Sequence, residues 1–293
     1  MVRYNIFGWA RRICRLVSTW RWCSVFNGSR PTYPDRLTVH FGDRPIQFDT
    51  SDVVTQPLFY PRYSSGRMHE EPIMEFFLSK LQPSDNFLDV GANVGFYTFM
   101  AAAFCREGLV LALEIDPQLV LGLQKTARLN EVGNLKIVSA AATNLDSQLL
   151  PYQPTAEGDL STYRIIESAA EAGSCLKSDL LVPGFTVDTL ARLVSVQFTA
   201  IKIDVEGYEI AVLEGMPSHS RSCRLLALEV HKEVIDDAGQ CQRLWSFLCN
   251  FEMEFQAVEC HRHSPVKRVI ASVEDIQKLQ SNSMILGSRD GFN

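Results

Sequence analysis

The stretch Asn86-Phe87-Leu88-Asp89-Val90-Gly91-Ala92-Asn93-Val94-Gly95-Phe96-Tyr97-Thr98 constrains this chain more than any other. A short apolar run ends in an acid, two glycines follow four residues apart, and an apolar helical pattern begins. This order reads as strand, tight turn and helix. The glycines let the backbone come close to a ligand, and the helix start offers free N–H groups. Asp89 and Gly91 then stand where the first strand of an open α/β sheet meets its ligand crevice. A dinucleotide fingerprint would be G-x-G-x-x-G, shaped around a pyrophosphate. Here the pattern is D-x-G-x-x-x-G, with Asn93 between the glycines and an acid ahead of the turn. That suits a ligand with a positive charge and no phosphate.

From Phe87 onward, strand-like apolar runs alternate with helical patterns, which implies a parallel sheet with helices packed on it. Strands are expected at Phe87–Val90, Leu109–Glu114, Leu135–Ala140, Phe198–Asp204, Leu225–Val230, about Glu252–Val258 and about Ser283–Leu286. Helices are expected at Val94–Cys105, from Pro117 to near Asn130, from Tyr208, and around Leu244, Trp245, Phe247 and Leu248. Residues 146 to about 183 interrupt the alternation with Pro151, Pro154, Gly158 and Gly173, and read as an insertion that makes a mobile lid. Ahead of the alternation, Arg36–Phe41 and Pro45–Phe48 flank Gly42-Asp43-Arg44 as a hairpin, and His69–Leu81 reads as a helix burying Ile73, Phe76, Phe77 and Leu81. The expected division is an extension over residues 1–68 and a main domain over 69–293.

At 293 residues the chain can hold one large α/β domain, and its net charge of −6 argues against a general nucleic-acid binder. None of the eight cysteines forms C-x-x-C, and several lie in apolar runs, which points to reduced, buried thiols in a cytoplasmic protein. No stretch is long and apolar enough to span a membrane. Residues 1–26 set Arg3, Arg11, Arg12, Arg15 and Arg21 beside a helical stripe of Trp9, Ile13, Leu16 and Trp20. This reads either as a helix packed on the main domain or as peripheral contact with an anionic membrane.

Four places carry candidate chemistry. Glu114 ends the second strand of the alternation, where two carboxylate oxygens match a vicinal diol such as a ribose, though it could also cap the helix that begins at Pro117. Asp116 is the better cap. Small residues at Ala141-Ala142 leave room for a flat ring. Ile201-Lys202-Ile203-Asp204-Val205-Glu206-Gly207-Tyr208-Glu209 is an apolar strand ending in two acids and a glycine, and Lys202 within it should pair with Asp204 or Glu229. Leu226-Ala227-Leu228-Glu229-Val230-His231 brings an acid and a histidine to the next strand end, where His231 could take a proton or simply shape the crevice. His261 and His263 read as an exposed loop pair, and no metal is expected there.

These segments in this order resemble the FkbM family of class I S-adenosylmethionine-dependent methyltransferases. The resemblance rests on D-V-G-A-N-V-G-F-Y-T from Asp89, A-L-E-I-D-P from Ala112, Leu129-Asn130 with Gly133-Asn134, V-D-T-L from Val187, I-K-I-D-V-E-G-Y-E and the Glu229-x-His231 strand end. Glu70 and Glu71 resemble an acidic position of the family, and Gly158 to Thr162 another stretch of it. The resemblance implies a Rossmann-like, seven-stranded sheet of order 3-2-1-4-5-7-6 with strand seven antiparallel. It implies S-adenosylmethionine held by Asp89, Gly91, Asn93, Gly95, Glu114 and Ala142. The implied reaction is O-methylation of a sugar, polyketide or other small-molecule or glycan acceptor, with His231 as general base, Glu229 fixing its tautomer, and Asp204 and Glu206 positioning the acceptor. A divalent ion on Asp204, Glu229 and His231 is a variant of that reading. Other classes are a nucleotide- or NAD-binding enzyme, which the missing third glycine disfavours, and a membrane-associated binding module.

Overall fold

The computed structural model describes residues 34–51, 70–154, 163–166, 180–259 and 265–292. The arginine-rich segment 1–26, residues 52–69, Gly158 to Thr162 and His261 to His263 lie outside the described residues.

A hairpin opens the described chain, β1 (Arg36–Phe41) against β2 (Arg44–Asp49). Helix α1 (Glu71–Lys80) leads to β3 (Phe87–Val90), α2 (Phe96–Phe104), β4 (Val110–Glu114), α3 (Pro117–Leu129) and β5 (Leu135–Ser139). Four short strands follow: β6 (Ala141–Ala142), β7 (Gln148–Pro154), β8 (Tyr163–Ile165) and β9 (Leu181–Phe185). Then come α4 (Val187–Val194), β10 (Ala200–Ile203), α5 (Glu209–Glu214), a 3₁₀ turn at Pro217–His219, and β11 (Leu225–Val230). The chain closes through α6 (Lys232–Ile235), α7 (Ala238–Cys249), β12 (Glu254–Glu259), β13 (Val266–Ile270), α8 (Val273–Gln277) and β14 (Ser283–Ser288).

The main sheet runs β13-β12-β14-β11-β10-β3-β4-β5. Its β5, β4, β3, β10 and β11 pair in parallel, and β14 is antiparallel to both neighbours. This is the expected class I order with one strand more: the sheet has eight strands, not seven. The extra strand is β13, at the edge. Four of its five residues, Val266, Lys267, Arg268 and Val269, are exposed, so its sequence carries no buried alternation, and charges on an edge blunt further pairing.

The inner strands read as unbroken apolar runs because both faces are covered. Successive side chains alternate between two cores. Leu88, Val90, Leu111, Leu113, Ile201, Ile203, Leu226 and Leu228 pack with α4, α5 and α7. Phe87, Val110, Ala112, Ala200, Leu225 and Ala227 pack with α1, α2 and the hairpin. The hairpin is therefore part of this second core: Phe41 meets Phe96 edge-on at 5.1 Å and Phe48 meets Phe99 at 5.4 Å. Asn130 closes α3, donating from Nδ2 to Thr126 O at 2.7 Å. Its side chain also accepts from Gln47 N at 2.9 Å and donates to Gln47 O at 2.8 Å, tying α3 to β2.

The described part of the insertion forms strands, which join β6 in a second sheet, β6-β9-β7-β8. Pro151 and Pro183 pair with Leu181 and Leu149 within it, in a narrow sheet where proline is tolerated. Among the described cysteines Cys105, Cys223, Cys241 and Cys249 are free, and burial pushes the thiols of Cys105 and Cys223 up to about 12. No helix among the described residues is long and apolar enough to cross a membrane.

Candidate active site

One cleft lies across the carboxyl ends of β3, β4 and β10. Gly91 to Val94, Glu114 and Ala140 to Ala142 line one side. Glu70, Tyr97, Lys202, Asp204, Glu206 and Tyr208 line the other, and Tyr163 and Ile165 reach in from β8.

The first side is made by backbone. Gly91 has φ +78°, and a Cβ there would stand 1.9 Å from the Asp204 carbonyl oxygen. The close approach that demands glycine is thus to the neighbouring strand end. A Cβ on Gly95, φ +84°, would stand 2.3 Å from Leu123. Gly95 packs α2 on α3 and is not on the cleft wall. Asn93, at φ +51°, turns its N–H onto Glu114 Oε2 at 2.7 Å, and Asp116 N donates to Glu114 Oε1 at 2.9 Å. Asp116 is the cap of α3, accepting from Gln118 N. Glu114 is therefore free of that duty. Burial pushes its pKa up to about 7, against the pull of the two main-chain N–H groups.

These residues fit the adenosyl cofactor that the sequence resemblance implies. Glu114 accepts main-chain hydrogen bonds on both oxygens and lies on the cleft wall beside three alanines. A diol can donate to both oxygens there, and the alanines leave a flat space. Asp89 does not line the cleft. It is wholly buried, accepts from Thr98 Oγ1 at 2.6 Å, and lies 3.8 Å from Lys202 Nζ. It props the site from beneath, because β3 and β10 pair Asp89 with Lys202 in register on one face. Burial raises its pKa, against Lys202 and the Thr98 hydrogen bond.

The second side is made by charge. Lys202 Nζ lies 3.2 Å from Asp204 Oδ2 and 3.2 Å from the Gly91 carbonyl, so Asp204 is its partner as expected. Burial works against the ammonium, but Asp204, Asp89 and Glu70 outweigh it and raise the Lys202 pKa. Asp204 is raised by burial and lowered more by Lys202 and by a hydrogen bond with Glu229, and ends below the usual carboxylate range. Tyr97 OH donates to Glu70 Oε2 at 2.7 Å, which places Glu70, not the exposed Glu71, at the cleft.

His231 differs most from its expected role. It is buried and lies behind Glu206, off the cleft wall. Nδ1 meets Glu209 Oε1 at 2.7 Å and Nε2 meets Glu206 Oε2 at 3.3 Å. The orienting acid is Glu209, not Glu229. Burial lowers the ring's basicity, but the hydrogen bonds to Glu206 and Glu209 prevail and raise its pKa to about 11. A ring that holds both protons at neutral pH is not a general base. Glu206 reaches the ring from a left-handed turn, φ +53°, with Gly207 following at φ +97°. Such conformations cost an ordinary residue free energy and gather at functional sites. Asp188 bonds His219 Nδ1 at 2.8 Å and is remote from the cleft, while Thr186 caps α4. Sequence reasoning missed Tyr97, Tyr163, Ile165, Tyr208 and Glu209. Only Glu209 had a usable signal, three residues beyond Glu206 across the turn.

Residues 89–256 match the profile described as the methyltransferase FkbM domain. A 90-residue stretch is 32% identical to a ribosomal RNA small subunit methyltransferase A of Moorella thermoacetica, covering 30% of each chain. The chain thus spans about a third of that curated relative. Among solved structures it is similar to M. jannaschii TYW2 in complex with AdoMet, at 9% identity and TM-score 0.45, covering 88% of this chain and 87% of that one. It is also similar to a Methanococcus jannaschii fibrillarin, at 11% identity and TM-score 0.42, covering 91% and 87%.

Proposed function

Because this chain belongs to the FkbM family of S-adenosylmethionine-dependent methyltransferases, we propose that it methylates a hydroxyl of a small-molecule or glycan acceptor. The observation that carries this reading is the division of one cleft into a diol-ready backbone side and a carboxylate-rich side. When bound, the cofactor supplies a methyl group on a sulfonium. Gly91 to Asn93, Glu114 and Ala142 hold it in this reading. Asp204 and Glu206 face the remaining space, accept a hydrogen bond from the acceptor hydroxyl and orient its oxygen. His231 holds Glu206 in place.

A phosphate-rich acceptor fits poorly. The chain carries a net charge of −6, and Glu70, Asp204 and Glu206 line the acceptor side. Such a field repels a nucleic-acid backbone. We further propose that residues 69–293 are the catalytic unit and that residues 1–68 extend it. The test of the function is calorimetric titration with S-adenosylhomocysteine, then methyl transfer to arrays of polyol, glycan and RNA acceptors. Saturable cofactor binding and label on a hydroxylated small molecule or glycan are expected. Binding of NADH with none of S-adenosylhomocysteine, or label found only on RNA, would overturn the reading.

A further inference from the structure

The carboxylate side of the cleft carries a cluster equipped for more than orienting an acceptor hydroxyl. Asp204, Glu206 and His231 each offer one ligand atom, and the three atoms lie within 4.8 Å of one another. They come from two strand ends and the turn between them, β10 with its left-handed Glu206-Gly207 turn and the residue after β11. The Nε2–Oε2 separation is 3.3 Å, close enough for one ion to reach both atoms.

The support behind the histidine is also built. Glu209 Oε1 accepts from His231 Nδ1 and from Gly207 N at 2.9 Å, which fixes the ring and leaves Nε2 facing Glu206. A carboxylate on the far nitrogen is the usual device for orienting a metal-binding histidine. The second oxygen of this carboxylate, Glu209 Oε2, is buried with no hydrogen-bond partner among the described residues.

We propose that Asp204, Glu206 and His231 form a divalent-metal site on the acceptor side of the cleft, the ion displacing to solvent the Nε2 proton that Glu206 otherwise holds, with Glu209 as its hydrogen-bonded support. Two carboxylates and one imidazole favour a first-row ion such as Mn²⁺ over Mg²⁺. Asp204 and Glu206 stand on the cleft wall while His231 lies behind them, so the open coordination positions face the acceptor space. If the methyl-transfer reading holds, the acceptor is one that chelates, with a second oxygen beside the hydroxyl to be methylated.

The test uses the full chain, stripped with a chelator and then titrated with Mn²⁺, with the free ion followed by electron paramagnetic resonance and with Mg²⁺ and Zn²⁺ as competitors. One saturable Mn²⁺ per chain is expected. Glu206→Gln should weaken it by more than about 100-fold and Glu209→Gln by about 10- to 100-fold, with circular dichroism melts confirming that both variants fold. No saturable site, or equal affinity in Glu206→Gln and wild type, overturns the proposal. S-adenosylhomocysteine is titrated into the same samples. Cofactor binding without Mn²⁺ binding removes the metal and leaves methyl transfer standing, whereas Mn²⁺ binding alone removes methyl transfer and leaves the metal site.

Discussion

On the β4 side of the cleft an acid, Glu114, is held by two main-chain N–H groups. On the β11 side a base, His231, is held by two carboxylates. The first side draws its geometry from the backbone of one continuous segment, Val90 to Glu114. The second collects side chains from Glu70, β10, the turn after it and the end of β11, and balances them against each other. A backbone site is rigid once its turn is made, and its failures should be all-or-none. A charge network can lose one member and re-pair, so its failures should be graded and dependent on pH.

The sharpest way to break this contrast is at Gly91. Gly91→Ala places a methyl group 1.9 Å from the Asp204 carbonyl, at a φ of +78°. Neither atom is the end of a flexible side chain. Strain of about 1–3 kcal/mol adds to overpacking of about 1–3 kcal/mol. Urea unfolding should show a loss of several kcal/mol, with S-adenosylhomocysteine binding abolished. A variant as stable as wild type would mean that the two strand ends can part, and that the backbone side is not rigid.

A smaller effect is expected at Glu114. Glu114→Gln keeps the shape and removes the charge, so hydrogen bonds to a charged group worth about 1.5–3 kcal/mol are weakened, about 10- to 100-fold in S-adenosylhomocysteine affinity. In the wild type, a diol donating to this carboxyl favours its ionised form. Affinity should therefore fall as pH drops below about 7, the pKa of the buried group, and level off above it. Calorimetry at several pH values checks this. Affinity independent of pH in the wild type would take Glu114 off the ligand.

The fold was legible because its signals are local. Runs such as Leu225–Val230, buried at every position, announce a covered parallel strand, and the strand order follows from alternation. What escaped had no local pattern. Strand β13 buries one residue of five, Ile270, and β7 and β9 carry prolines that argue against pairing. At the site, the glycine turn and Glu114 could be read because spacing along one segment sets them. The partner of His231 could not. Glu229 and Glu209 are equally plausible in sequence, and only the turn at Glu206-Gly207, with its positive φ values, brings Glu209 round to Nδ1. The assignment of Asp89 as a ligand contact failed for a related reason. Alternation puts it on the same face as Lys202, one layer under the cleft, and its acid type records that buried neighbour.

Glu114 and His231 also allow the contrast to be read in stability, because both pKa values are raised for opposite reasons. Burial disfavours the charged form of Glu114, so the folded state keeps a proton between the ordinary 4.5 and about 7 that the unfolded state has released. Stability then falls as pH rises through that window and is level above it. Carboxylates favour the charged form of His231, so its contribution is full below the ordinary 6.5 and is lost as pH rises from there toward about 11. Each proton gives a slope of about 1.4 kcal/mol per pH unit inside its window. The two windows nearly abut at pH 7, so the variants separate them. Urea unfolding in EDTA should show His231→Gln flattening the decline between pH 7 and 9 while leaving the slope below pH 6.5, and Glu114→Gln doing the reverse. If His231→Gln left the upper slope intact, the imidazole would not be held charged by Glu206 and Glu209, and it would return as a candidate base for the acceptor proton.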